Sequence, residues 1–190
     1  MRRYPMTLSG SVKALSGVFT LLMVAVPVFA WFLIPGLALG GPQGPALEAR
    51  WATLAAPLFA LIFWALSPKA LEIEGGELRV LRRAWRGAAY PLSRVEEVSV
   101  LPPRGLSGAL RVLGNGGLFG YYGWYYRGGL FRLFATRRAG LVQVVVGGRR
   151  VVVSPDQPDR FVEGLLAAAP RAARTRQPGE PGARSASRTS

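Results

Sequence analysis

Leu71-Glu72-Ile73-Glu74-Gly75-Gly76-Glu77-Leu78-Arg79-Val80 is the stretch that decides the fold. Apolar and charged residues alternate on both sides of a glycine pair, and a period of two belongs to a strand with one buried face. Glycine takes positive φ without strain, as the two central positions of a tight hairpin turn require. The stretch therefore predicts a β-hairpin. The same pattern returns at residues 141–146, Gly147-Gly148 and residues 149–153, so β-structure bounds this part of the chain at both ends.

Working inward, residues 87–92 predict another strand. Ser93-Arg94-Val95-Glu96 has the spacing of a capping box able to nucleate one short turn, and Val98, Val100 and Leu101 resume an extended run. Residues 121–127 and 130–138 are aromatic-rich and separated by Gly128-Gly129, consistent with two more strands. The expectation is a domain of roughly seven strands. After them, Ser154-Pro155-Asp156-Gln157-Pro158-Asp159 combines cap residues with prolines allowed in a first helical turn. Phe161, Val162, Leu165 and Leu166 follow at helical spacing, with Arg160 and Glu163 on the water side and Pro170 ending the run.

Working outward towards the N-terminus, the composition changes. Residues 14–47 contain no charged side chain, and their densest part, 18–39, is long enough as a helix to cross a hydrocarbon core of roughly 30 Å. Pro27 and Pro35 are tolerable inside a membrane bundle, where neighbours satisfy the freed carbonyls. Gly40-Gly41-Pro42-Gln43-Gly44-Pro45 then predicts a turn. A second apolar run, 51–66, lies between Arg50 and Lys69; it is short for a span, a mismatch that snorkelling basic ends and local thinning absorb. Trp51 and Trp64 near its ends suit an interfacial aromatic belt, and Gly36, Ala38 and Gly40 are small enough to permit close helix approach. Val28-Phe29-Ala30 resembles a signal cleavage site, but hydrophobicity continues through Trp31-Phe32-Leu33-Ile34, against cleavage.

The expected organisation is an N-terminus at 1–13, transmembrane helix 14–39, external loop 40–50, transmembrane helix 51–67, β-rich domain 70–169 and a disordered basic tail 170–190. The net charge of +14 is distributed as +3 before the first span, +1 at Lys69, +6 over residues 70–169 and +4 in the tail, Glu48 and Arg50 cancelling. A neutral connection between two flanks rich in Arg and Lys orients both termini to the cytoplasm. Such a balance favours anionic partners, and beside two apolar spans those are lipid head groups rather than nucleic acid. The chain has no Cys and no His, which excludes disulfides, thiolate chemistry and the commonest general base and metal ligand.

Taken together, Leu71-Glu72-Ile73-Glu74-Gly75-Gly76-Glu77-Leu78, Tyr90-Pro91-Leu92-Ser93-Arg94-Val95, the tract from Gly114 to Gly123 and Val151-Val152-Val153-Ser154-Pro155-Asp156-Gln157-Pro158-Asp159-Arg160-Phe161 resemble, in order and spacing, a bacterial pleckstrin-homology (PH)-like domain. The resemblance covers about half the chain. It implies a bent, partly open β-barrel capped by a helix; with the two spans and roughly seven strands read above, the expectation is a membrane-anchored α+β protein, two transmembrane helices followed by a PH-like seven-stranded β-barrel capped by one C-terminal helix, multi-pass in the bacterial inner membrane. It implies little about activity, because the architecture is a scaffold for lipid, peptide and protein recognition alike. Lipid-binding relatives use a long basic first hairpin loop, whereas here only Gly75-Gly76 stands there, beside Glu74 and Glu77, so no family binding residue carries over.

Arg79, Arg82, Arg83 and Arg86 cluster within the second strand and its turn, close to the membrane exit at Lys69, where each is worth about 1 kcal/mol against an anionic surface. Tyr121, Tyr122, Trp124, Tyr125, Tyr126 and Phe131 form the densest aromatic segment; strand alternation sends Tyr121, Gly123 and Tyr125 to one face and Tyr122, Trp124 and Tyr126 to the other. The candidate lipid- or partner-binding residues are Arg79, Arg82, Arg83, Trp124 and Tyr125. The tract 114–123 lacks the Lys-Ser or Lys-Thr ending of a P-loop and reads as a glycine-rich loop entering a strand. Glu96 and Glu97 point to opposite faces of a strand, and Asp156 and Asp159 suit a helix N-terminus, so no catalytic pair, metal or cofactor is expected. The expected function is non-enzymatic: a membrane-anchored module presenting a basic, aromatic-rich barrel to a protein partner or to anionic lipid. The alternative is an accessory subunit of a transporter or envelope-assembly complex that makes its contacts through the helices.

Overall fold

The computed structural model describes residues 1–33 and 46–174. Pro35, Gly36, Ala38, the turn at 40–45 and the tail from residue 175 lie outside the described residues. In chain order the elements are β1 (Arg2–Pro5), α1 (Gly10–Leu33), α2 (Ala46–Leu66), β2 (Pro68–Glu74), β3 (Glu77–Arg82), β4 (Ala88–Pro91), a 3-10 turn (Leu92–Arg94), β5 (Val95–Val100), β6 (Leu110–Gly116), β7 (Tyr121–Tyr126), β8 (Leu130–Ala135), β9 (Val142–Val146), β10 (Arg149–Val153), α3 (Pro158–Ala168) and β11 (Ala173–Arg174).

The hairpin that opened the reading is β2–β3, antiparallel with Glu74 opposite Glu77, and Gly75 and Gly76 both sit at positive φ (59° and 76°). Its equivalent, β9–β10, turns on Gly147 and Gly148, also at positive φ. The expected barrel of seven strands is corrected: among the described residues the strands form a four-stranded sheet, β1-β2-β3-β4, and a seven-stranded sheet, β11-β5-β9-β10-β8-β7-β6, with no closure into one barrel. Three strands escaped the reading. β1 pairs antiparallel with β2 from the other side of both helices, β6 pairs with β7 across a bulge between Arg111 and Leu113, and Ala173–Arg174, within the expected tail, pairs parallel with β5. Pro5 fits because β1 is an edge strand, where a missing N–H breaks no ladder.

The inner faces of the two sheets enclose the main core, which includes Leu71, Leu78, Val80, Val98, Phe134, Val142, Val144, Val151 and Val153. α3 closes it with Phe161, Val162 and Leu165, all fully buried as the spacing predicted. Tyr4 of β1 meets Phe161 edge-on at 5.2 Å, and its hydroxyl occupies the space a side chain at Gly164 would need, so β1 is held beneath α3. The outer face of the larger sheet carries a smaller apolar cluster, Tyr125, Phe131, Leu133, Ala135, Leu141 and Val152, packed under the segment 101–109.

Two local readings change. The Ser93–Glu96 capping box is not made: the turn forms one residue earlier without a side-chain cap, and Glu96 lies in β5, where its carboxylate accepts from the Gly148 amide at 3.2 Å. Asp156 does not cap α3. Its Oδ1 accepts from the amide and the hydroxyl of Thr7, both at 2.9 Å, and pairs with Arg137 at 3.6 Å, which ties the N-terminal segment to the domain.

α1 starts at Gly10, earlier than expected, because the Ser9 hydroxyl accepts from the Val12 amide in the first turn. Among the described residues Gly10–Phe29 is the helix stretch long and apolar enough to cross a membrane, with a mean hydropathy of 2.0 and only 11% of it buried within the protein. Leu21 and Phe29 point away from the protein. α2 is a 21-residue helix through Pro57, and among the described residues its apolar stretch is Pro57–Leu66. The two helices pack against each other.

Candidate functional site

The site is built where the helices meet the domain. The β6–β7 hairpin, which contains the glycine-rich tract, does not end in solvent; its tip, Gly117-Leu118-Phe119-Gly120, docks on α1. Asn115 shapes the tip: its carboxamide donates to Leu118 O and accepts from the Leu118 amide. Phe119, buried and the one non-glycine residue at positive φ among the described residues (56°), donates its amide to the Ser16 hydroxyl of α1 at 2.7 Å. The Tyr122 hydroxyl donates to Phe63 O of α2 at 2.8 Å. The segment after β3 completes the joint. The amides of Arg83 and Ala84 donate to Ser67 O and Ala65 O, and Arg83 Nε donates to the Ser67 hydroxyl at 2.9 Å.

This joint sets the position of the basic residues. The turn after β3 carries Arg83, Trp85 and Arg86 beside the last turn of α2, and Trp85 is 65% exposed. An exposed indole flanked in sequence by Arg83 and Arg86 suits a layer that is apolar on one side and wet on the other. Nearby, Arg82 of β3 and Arg132 of β8 approach each other across the seam between the sheets. Arg132 lies over the Trp124 ring at 4.7 Å and the Phe134 ring at 5.3 Å, while Arg82 lies over Phe134 at 5.7 Å. Burial, and then the like charge of Arg132, push the Arg82 guanidinium below its ordinary pKa, although it remains a cation near neutral pH. Burial pushes the Tyr90 phenol up, against the pull of both arginines. Neither Arg82 nor Arg132 pairs with a carboxylate among the described residues, and the Nε of each is buried without a hydrogen-bond partner in the protein. Two uncompensated, partly desolvated cations form a site that favours an anion.

Beside this rim, a groove of about 590 Å³ runs up α1 between Lys13 and Arg83, floored by Thr20, Leu21, Trp64 and Phe119. It has cations at the domain end and apolar side chains along the helix.

Of the sequence-predicted residues, the structure brings Arg82, Arg83 and Trp124 into this region. Arg79 lies elsewhere, on the solvent side of β3, where it bonds Glu77 at 2.9 Å. Tyr125 is buried on the opposite face of β7 from Trp124 and donates to Asn115 O at 2.8 Å. Trp85 and Arg132 were missed. The run Arg82-Arg83-Ala84-Trp85-Arg86 did hold a signal for Trp85, an indole amid arginines after a strand, whereas Arg132 is brought in only by the β7–β8 register that sets it opposite Trp124.

Comparison with known families matches residues 70–169 to the family described as Bacterial PH domain. No curated protein and no solved structure matches the chain.

Proposed function

Because the chain belongs to the bacterial PH domain family, we propose that it is a non-enzymatic, membrane-anchored recognition module whose basic, aromatic rim rests on anionic lipid at the cytoplasmic face of the bilayer. In this reading α1 and α2 both cross the membrane and both termini are cytoplasmic. Pairing of β1 with β2 supports an even number of crossings, since the chain leaves and re-enters one sheet through neighbouring strands. The positive charge on both flanks supports the orientation.

The observation that carries the proposal is the turn holding Arg83, Trp85 and Arg86, hydrogen-bonded to the end of α2 with its indole turned outward. A turn fixed to the end of a membrane helix lies at the depth of the head groups. The chain has no Cys, so Trp85→Cys supplies a single labelling site in the full-length protein. An environment-sensitive fluorophore there should report a drier setting in nanodiscs containing phosphatidylglycerol than in phosphatidylcholine alone. Arg83→Ala/Arg86→Ala in the same background should remove most of the difference, each charge being worth about 1 kcal/mol near such a surface. A label equally wet in both bilayers would reject the rim as a lipid contact.

A further inference from the structure

The outer face of the seven-stranded sheet carries a second basic feature, which the membrane rim does not use. A concavity of about 690 Å³ lies between the segment 101–109, β6 and the chain just after β8. Arg104, Arg111, Arg137 and Arg138 line it, with Tyr121 and Tyr125 among the other lining residues. The volume falls within the range of small-ligand sites. The four guanidiniums come from three separate stretches of chain, so their convergence is a product of the fold and not of local composition. Like charges gathered in one concavity repel unless an anion joins them.

The lining contains no carboxylate. Asp156 reaches Arg137 from behind at 3.6 Å, but it is already engaged by Thr7. Arg104, Arg111 and Arg138 have no acidic partner among the described residues. Arg138 is held over the Tyr121 ring at 4.9 Å, which limits its freedom before any ligand arrives. Tyr125 supplies a neutral floor: burial pushes its phenol up although Arg111 and Arg138 pull it down, and its hydroxyl is committed to Asn115 O. Arginine forks match phosphate oxygens bidentately, and one phosphate is satisfied by two or three of them.

We propose that this concavity is a binding site for a ligand carrying at least two phosphate groups, held by Arg104, Arg111 and Arg138 with Arg137 behind them. Two sources offer that chemistry, a soluble pyrophosphate-bearing molecule and a diphosphate lipid head group such as that of cardiolipin. The test uses the full chain in nanodiscs. Titration calorimetry with inorganic pyrophosphate in phosphatidylcholine discs reads the soluble source, and cardiolipin retention after detergent exchange reads the lipid one.

Arg111 and Arg138 are both exposed, so Arg111→Ala/Arg138→Ala should fold, which circular dichroism checks directly. The double variant should weaken the active arm by about tenfold per charge, while Arg111→Lys/Arg138→Lys recovers part of it. Arg149→Ala/Arg160→Ala, which removes two exposed charges outside both the concavity and the rim, should leave this binding within about twofold of the parent. Loss in the pyrophosphate arm assigns a soluble ligand; loss in the cardiolipin arm alone assigns a lipid. Absence of binding in both arms, or equal loss in the Arg149→Ala/Arg160→Ala control, would overturn the site.

Discussion

The β2–β3 and β6–β7 hairpins are both antiparallel, and both turn on glycine, yet they do opposite things. The first turns with room to spare: a Cβ at Gly75 or Gly76 would meet nothing within 4 Å, and the tip is held lightly, the Gly76 carbonyl accepting from the Leu92 amide of the 3-10 turn at 2.8 Å. The second is clamped. Gly114 and Gly123 face each other across the strands at positive φ (128° and 133°), so close that a Cβ on either would strike the carbonyl of the opposing strand and lie 2.7 Å from the opposing glycine's Cα. Its tip is hydrogen-bonded to α1 through Phe119, and Tyr122 bonds α2. Glycine thus serves turn geometry alone in one hairpin and both turn geometry and close backbone approach in the other. The second use makes a joint between helices and sheet.

Substituting the glycines separates these roles most sharply. Gly123→Ala adds a clash with backbone to a disfavoured φ and should cost about 2–4 kcal/mol, whereas Gly75→Ala pays only for its left-handed conformation, about 1–2 kcal/mol. Thermal unfolding of both full-length variants in detergent, followed by circular dichroism, should rank them in that order; equal losses would mean the close approach is not sustained.

Tyr122 comes next. Tyr122→Phe leaves Phe63 O without that donor and should cost about 1 kcal/mol, read as faster amide exchange at the hairpin tip. Burial raises the Tyr122 phenol above the ordinary value of 10.0, so the folded state resists deprotonation more than the unfolded state. Stability from this source is complete below pH 10.0 and declines as pH rises through the folded pKa. The phenylalanine variant should therefore show a shallower alkaline loss than the parent.

The smallest effect belongs to the solvent face of β3. Arg79 and Glu77 form an ion pair with side chains 47% and 38% exposed, and Arg79→Ala should change stability by no more than about 0.5 kcal/mol, less in high salt. A larger loss would show that this pair does more than an exposed ion pair.

The same contrast explains how much was legible beforehand. β2–β3, β9–β10 and α3 have complete local patterns, and each formed where its alternation or helical spacing said. β1 has no such pattern: four residues including a proline become a strand only because β2 offers an edge. β6 was equally opaque, since Leu110, Val112 and Leu113 are all exposed and a bulge shifts the register among them, leaving no buried face to set a period. For the candidate site, Arg82 and Arg83 were found from their nearness in sequence to the membrane exit. Arg132 and the four arginines of the outer concavity were not, because strands and loops far apart in the chain assemble them. Charge density was readable; which charges share a surface was decided by register.

One consequence of the β1–β2 pairing concerns how the molecule is made. Arg2 has its partner at Ile73, with both helices in between. As the chain emerges from the ribosome, its first strand is synthesised long before the edge that receives it, and it stays unzipped until the whole helical excursion is complete. The four-stranded sheet is therefore a latch that clicks only behind a finished loop. A nascent chain whose helices fail to fold back leaves β2 bare on one side, an open edge that templates pairing with another chain.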